Sequence, residues 1–345
     1  MSALDALWYG KGLASVGARS LLSPASLLYR AGVALRNRRY DSSSRAVSRT
    51  AVPALSIGNI TVGGTGKTPV AAWAASQLAV RGAHPAIVMR GYGHDEPLVH
   101  RTLNPDVPVI VDADRVAGAE TARVGGADCV ILDDAFQHRR AARVSDWVLV
   151  SCERWRDGLR LLPAGPLREP LESLSRAHVI VVTRKSDSAD EAKRVAERLA
   201  KRFPRADVAV TLLSLHELVD ARTHTRMPLV WMEGRRLAAA AAVGAPDAFF
   251  AQLRATGAQL DPHAFPDHHA FTDADVRKLV AAADAREGLV CTLKDAVKLA
   301  GRWPAAAATL WYVSQNVVIE HGAAVLDRAL DTVLAAREDV SSTAG

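Results

Sequence analysis

Ser56-Ile57-Gly58-Asn59-Ile60-Thr61-Val62-Gly63-Gly64-Thr65-Gly66-Lys67-Thr68-Pro69 joins an apolar run to an alanine-rich one. Val52–Ile57 reads as a short buried strand and Val70–Leu78 as a helix. A glycine-rich loop between strand and helix is the context that a phosphate-binding loop needs. Gly63, Gly64 and Gly66 let backbone N–H groups turn inward onto phosphate oxygens. The helix N-terminus adds its partial positive charge to the same anion. Lys67 supplies a point charge for β- and γ-phosphates, and the Thr68 hydroxyl is a magnesium ligand. Pro69 falls in the first helical turn, where a missing N–H costs little. Thr61 stands where the common G-x-x-x-x-G-K-[ST] spacing has glycine, so the flexibility moves to Gly63 and Gly64. The candidate nucleotide-binding residues are therefore Thr61, Val62, Gly63, Gly64, Thr65, Gly66, Lys67 and Thr68.

Further along, Cys129-Val130-Ile131-Leu132-Asp133-Asp134 is an apolar run ending in two acids. A buried parallel strand delivers a magnesium-binding carboxylate to the sheet edge in this way. Neighbouring strand residues face opposite ways, so one of Asp133 and Asp134 is expected at the metal unless the chain turns there. Gln137 and His138 follow, either orienting a carboxylate or capping the loop. Strands are expected at Pro85–Met89, Val107–Val111, Trp147–Val150, Val179–Thr183 and Val208–Leu215, with a charged helix near Ala189–Arg202. Alternating strands and helices predict an α/β fold with a mostly parallel, P-loop-type sheet covered on both faces. The pattern breaks near Asp220–Met227. Beyond it, Leu237–Val243, Leu289–Thr292 and Leu310–Val313 predict a smaller C-terminal α/β unit. The expected division is 1–50, 51–220 and 221–340.

Residues 1–50 carry eight Lys and Arg against Asp5 and Asp41, a surplus equal to the net charge of +6 of the whole chain. The remainder balances. No run of eighteen apolar residues occurs, and no secretory signal is evident, so no spanning helix is expected. Ser23-Pro24 reads as an N-cap followed by proline at the first helical position. Leu27, Leu28, Ala31 and Leu35 then recur at helical spacing among Arg30, Arg36, Arg38 and Arg39, and Leu4, Leu7, Trp8 and Leu13 suggest an earlier helix. Such amphipathic helices suit an anionic bilayer surface, at about 1 kcal/mol per basic residue, or else pack on the body with solvated arginines. No nucleic-acid-binding module accompanies the basic patch. Cys129, Cys152 and Cys291 are widely spaced and odd in number, which excludes a disulfide framework and a zinc site.

Taken in order, several strings resemble the tetraacyldisaccharide 4′-kinases, the lipid A 4′-kinases. They are Ser56–Asn59 running into Gly63–Pro69, Arg90-Gly91-Tyr92-Gly93, Asp95-Glu96-Pro97 and Asp133–His138. Leu162–Pro170, Phe265–Phe271 and Thr292–Leu299 complete the series. The resemblance implies transfer of the ATP γ-phosphate, with Mg²⁺, to the 4′-hydroxyl of a tetraacylated glucosamine disaccharide 1-phosphate. It implies work at the cytoplasmic face of the bacterial inner membrane, with an anionic membrane surface as partner and no obligate protein partner. It assigns Asp95 and His268 to deprotonating the acceptor, beside Lys67, and offers Glu169 as a third acid near magnesium with Thr68, Asp133 and Asp134. Arg168 and Arg90 could share the phosphate charge. Two departures stand out. Only Gly93 and His94 separate Arg-Gly-Tyr from Asp-Glu-Pro, and Leu293 replaces an acid in Thr-Glu-Lys-Asp.

Two other classes compete with this reading. A P-loop kinase or ATPase for a soluble small acceptor leaves the basic N-terminal segment without a role. A nucleotide-driven switch leaves Asp95 and His268 without one.

Overall fold

The computed structural model describes residues 3–42, 46–91, 95–244 and 246–343. The short link at Gly93 and His94 lies outside them. These residues form two compact units, each discontinuous in sequence. One holds residues 4–42, 46–91, 100–213 and 317–343, and the other holds Ala3 with residues 95–99, 214–244 and 246–316.

The first unit is built on parallel strands in the order β7-β6-β5-β1-β4-β2-β3. They span Ala54–Asn59 (β1), Pro85–Met89 (β2), Val109–Val111 (β3), Cys129–Asp133 (β4), Ser145–Ser151 (β5), Val179–Arg184 (β6) and Asp207–Asp220 (β7). Most are apolar on both faces because both faces are covered. Leu55, Ile57, Ile131, Trp147, Leu149 and Val181 pack against Val70, Ala71 and Ala74 of helix α4 (Lys67–Val80). Leu326, Leu330 and Val333 of helix α11 (Ala323–Thr343) join the same cluster. On the opposite face, Val130 and Leu132 meet Ala119 and Ala122 of helix α6 (Arg115–Val124). Val148, Ile180 and Val182 there meet Val195 and Leu199 of helix α7 (Ala189–Arg202). The expected doubly covered sheet is present.

Three N-terminal helices belong to the same unit: α1 (Ala3–Tyr9), α2 (Leu13–Leu21) and α3 (Ser23–Ser42). Here one expectation is corrected. Ser23 does not cap a helix from outside, because α2 already runs up to it; its hydroxyl donates back to the Arg19 carbonyl at 2.9 Å. Leu13 likewise starts α2 instead of extending the first helix. Anchors to the body are specific. Trp8 Nε1 donates to Pro163 O, Ser26 to Leu161 O and Tyr29 to Arg168 O, at 3.0, 3.1 and 2.9 Å.

The second unit repeats the layering on a smaller scale. Strands β9 (Arg236–Ala241), β10 (Gln259–Ala264), β11 (Leu289–Thr292) and β12 (Leu310–His321) lie in the order β10-β9-β11-β12, with parallel pairing through the first three and between β11 and β12. Helix α8 (Pro246–Arg254) packs Phe249, Phe250 and Leu253 on one face. Helices α9 (Asp273–Asp284) and α10 (Leu293–Leu299) cover the other with Leu279, Ala283 and Leu299. The pattern break at Asp220–Met227 is the turn of a hairpin, where β8 (Arg226–Pro228) pairs antiparallel with the end of β7. β12 runs well past Val313: its fully buried part ends there, and the strand goes on through the partly exposed Ser314–His321. All three cysteines are buried and free, and burial pushes Cys129 up to about 12.

Candidate functional site

In the first unit the chain leaves β1 at Asn59 and re-enters order at Lys67, the first residue of α4. Gly66 holds the turn with φ +85°, a left-handed conformation open to glycine; a Cβ there would lie 2.2 Å from Leu213 Cδ1. Thr65 is buried, so its side chain props the loop. Its hydroxyl accepts from Asn59 Nδ2 at 2.9 Å and its carbonyl accepts from the Thr183 hydroxyl at 2.9 Å. A second strand of support comes from the Leu162–Pro170 string. Val62 N–H donates to Pro166 O at 2.8 Å, and Arg168 N–H donates to Ile60 O at 2.7 Å. Thr61 pairs with Leu167 across the same contact. The loop is therefore held on both sides while Gly63, Gly64, Lys67 and Thr68 remain partly accessible.

At the end of β4 the chain turns, and the two acids part. Asp134 adopts φ +49°. Its carboxylate accepts from Arg168 Nη1 at 2.9 and 3.0 Å and faces Lys67 Nζ at 3.6 Å. Burial works against its charge, but Lys67 and Arg168 outweigh it and hold Asp134 below the ordinary carboxylate range. Asp133 is buried and accepts from His100 Nε2 at 2.9 Å on helix α5 (Asp95–Leu103). Gln137 donates from Nε2 to Asn59 O at 2.9 Å, so it braces the loop from behind. His138 is half-buried; burial, with Arg115 adding, pushes its imidazole below the usual range.

Glu169 is fully buried and lies in a different setting from the other acids. Its Oε2 accepts from Asn37 Nδ2, Arg176 Nη2 and the Ser173 hydroxyl at 2.9, 3.0 and 3.2 Å, and Oε1 lies 3.3 Å from Arg36 Nη2. Its partners are thus helix α3 and the segment after β5.

The second unit brings Asp95 and His268 together. Asp95 is buried at the first turn of α5, and its Oδ2 lies 3.9 Å from His268 Nδ1 and 3.3 Å from Lys298 Nζ. His268 holds φ +59°, and its Nε2 is 3.3 Å from Lys294 Nζ. Thr292 caps α10 by accepting from Asp295 N–H at 3.2 Å, which starts the helix so that Lys294 and Lys298 share one face. His269 has different partners from His268. It is stacked on Phe265 and bonded to Asp275 at 3.0 Å. That bond first, and the Thr272 N–H next, lower Asp275 to about 2.

Among the described residues no group of three or more His, Cys, Asp or Glu could hold a metal ion by itself. The nearby donors are hard oxygens: the Thr68 hydroxyl and the two β4 acids.

The family model described as tetraacyldisaccharide-1-P 4′-kinase matches residues 18–101 and 95–335. The chain belongs to the tetraacyldisaccharide 4′-kinase family. A tetraacyldisaccharide 4′-kinase of Anaeromyxobacter sp. (strain K) is 36% identical over 367 residues, covering 97% of each protein. That of Anaeromyxobacter sp. (strain Fw109-5) is 36% identical over the full length of both. A crystal structure of LpxK from Aquifex aeolicus in complex with ATP shares the fold, with a TM-score of 0.71 at 24% identity over 92% of this chain and 99% of that one.

Within this member of the tetraacyldisaccharide 4′-kinase family, residue-by-residue reading missed His100, Arg115, Lys294 and Lys298. The two lysines had a signal, their i, i+4 spacing behind a Thr cap. His100 had none, because its partner lies 33 residues away.

Proposed function

We propose that this chain is a tetraacyldisaccharide 4′-kinase that moves the γ-phosphate of ATP onto the 4′-hydroxyl of tetraacyldisaccharide 1-phosphate, giving lipid IVA. The observation that carries the reading is kinship along 97% of the chain with a relative of that name. In this reading, N–H groups of residues 63–68 and the Lys67 ammonium take the β- and γ-phosphates. Mg²⁺ neutralises phosphate charge when bound, and Thr68, Asp133 and Asp134 are suited to hold it. An ion that comes with the phosphates takes much of its coordination from their oxygens and from water, so a few protein oxygens suffice. Glu169, engaged by Arg176, Asn37 and Ser173, is assigned instead to anchoring α3.

Asp95 takes the proton of the 4′-hydroxyl as its oxygen bonds to the γ-phosphorus. The bond from that phosphorus to the β–γ bridging oxygen breaks, and ADP leaves. His268 Nδ1 and Lys298 Nζ, 3.9 and 3.3 Å from Asp95 Oδ2, orient the carboxylate for that step. The lipid acceptor stays in its bilayer, so the enzyme works at the cytoplasmic face of the inner membrane. Among the described residues no helix is long and apolar enough to cross a membrane. Leu13, Leu21, Leu27, Leu28 and Leu35 are largely exposed on α2 and α3, beside the arginines. That surface supports peripheral docking.

The test is phosphate transfer from γ-labelled ATP to tetraacyldisaccharide 1-phosphate in mixed micelles, comparing the wild type with Lys67→Ala and Asp95→Ala. A labelled bisphosphate lipid from the wild type alone is the expected result. ATP hydrolysis without lipid labelling would sink the assignment of the acceptor.

A further inference from the structure

One buried imidazole in the first unit has no part in the phosphate chemistry described so far. His100 is fully buried, yet its Nε2 meets Asp133 Oδ2 at 2.9 Å. A carboxylate has no proton to offer, so the hydrogen in this bond sits on His100 Nε2. Asp133 passes the constraint on. Its Oδ1 accepts the N–H of Asp134 at 2.8 Å, and its backbone carbonyl accepts from buried Arg115 Nη2 at 3.1 Å. Arg115 is itself fixed, donating from Nη1 to Asp112 O at 2.8 Å. Asp134 stands at φ +49°, a conformation uncommon for a residue with a side chain unless its surroundings hold it. The outer end of the chain is the Asp134 carboxylate on Arg168 and Lys67.

From this chain of contacts we propose that His100 is a positioning residue for the acid pair. By fixing the Asp133 carboxylate it fixes the Asp134 N–H, and with it the turn that aims Asp134 at Lys67. The inference rests on the reading of Asp133 and Asp134 as the acids that take Mg²⁺ with the nucleotide. His100 acts through Asp133 and not on the phosphates. Without the donor, the buried Asp133 carboxylate loses the one side-chain hydrogen bond it accepts among the described residues and turns to find another. The Asp134 turn then loosens.

Partners that orient metal-binding residues typically alter metal affinity about 10- to 100-fold when removed. The experiment therefore measures Mg²⁺ dependence of binding for a fluorescent ATP analogue, in the full chain, with thermal melting alongside. His100→Leu fills the space without a donor, and His100→Gln returns an amide N–H at similar reach. The half-saturating Mg²⁺ concentration is expected to rise about tenfold in His100→Leu and to recover most of the way in His100→Gln. Binding without Mg²⁺ should change little, and in turnover kcat should fall while the KM for lipid holds. An unchanged Mg²⁺ requirement in a folded His100→Leu overturns the proposal. So does an equal defect in both variants, which would mean that only ring packing matters. If His100→Leu fails to fold, His100→Asn replaces it, since its amide is too short to reach; equal Mg²⁺ requirements in Asn and Gln then overturn the idea. Should the wild type label no lipid while the Leu–Gln difference persists, the acceptor assignment falls and the role of His100 stands.

Discussion

Asp134 and Gly66 make opposite uses of the same backbone region. Asp134 holds a left-handed turn through its side-chain partners, whereas Gly66 holds one because it has no side chain. Gly66→Ala adds both the backbone penalty, about 1–2 kcal/mol, and a clash with Leu213; nucleotide binding measured by fluorescence titration should be lost before the fold is. For Asp134 the test is acidity. Lys67 and Arg168 lower its titration below that of the unfolded chain, so the stabilisation it supplies is present above about pH 4 and disappears as pH falls through its folded value. Urea melts of wild type and Asp134→Asn should therefore differ steadily from neutral pH down to about pH 5 and converge in stronger acid. The placing of Lys67 and Thr68 where a glycine loop enters a helix was legible in the sequence, because an apolar strand, three glycines and an alanine-rich run mark each part. His100 and Arg115 were not, since their partners are reached only through the sheet's register.

Among the elements, α3 has the most telling attachment. Arg36 and Asn37 on this largely exposed helix reach a fully buried carboxylate, Glu169, which also takes Arg176. Glu169→Ala leaves the Arg176 charge without its partner, and breaking such a buried pair costs about 3 kcal/mol. Urea denaturation should show that loss in the absence of nucleotide, which separates an anchoring role from metal binding. Helix periodicity was readable along Leu27–Leu35, as was α7 with both its ends. The start of α3 was misread because Ser23 and Pro24 carry a cap signature that α2 overrides. The Leu162–Pro170 string was recognisable only by resemblance; its work, bracing Ile60 and Val62 while receiving Tyr29 and Ser26, depends on contacts that no local pattern encodes.

On the scale of the whole molecule, Arg19, Arg30, Arg36, Arg38 and Arg39 share α2 and α3 with the exposed leucines. Flotation with anionic vesicles should capture the protein, and capture should weaken as salt rises past about 0.5 M, where screening shortens to a few ångströms. Replacing Leu13, Leu21 and Leu28 with serine should lower capture at every salt concentration, because apolar burial is not screened. The sequence indicated two α/β regions but not that the chain crosses between units more than once. Nothing local marks Val317 onward as a return, since β12 is continuous through the change. That return has a consequence for synthesis. The helix behind the phosphate loop presents Val70, Ala71 and Ala74 to a cluster completed by Leu326, Leu330 and Val333. Strands β1, β4, β5 and β6 can pack against α4 as they are made, but the side of the cluster that Leu326, Leu330 and Val333 close stays open until α11 has been translated. Nascent chains halted before α11 should be bound by chaperones and open to protease at α4, however complete the glycine loop is in their sequence.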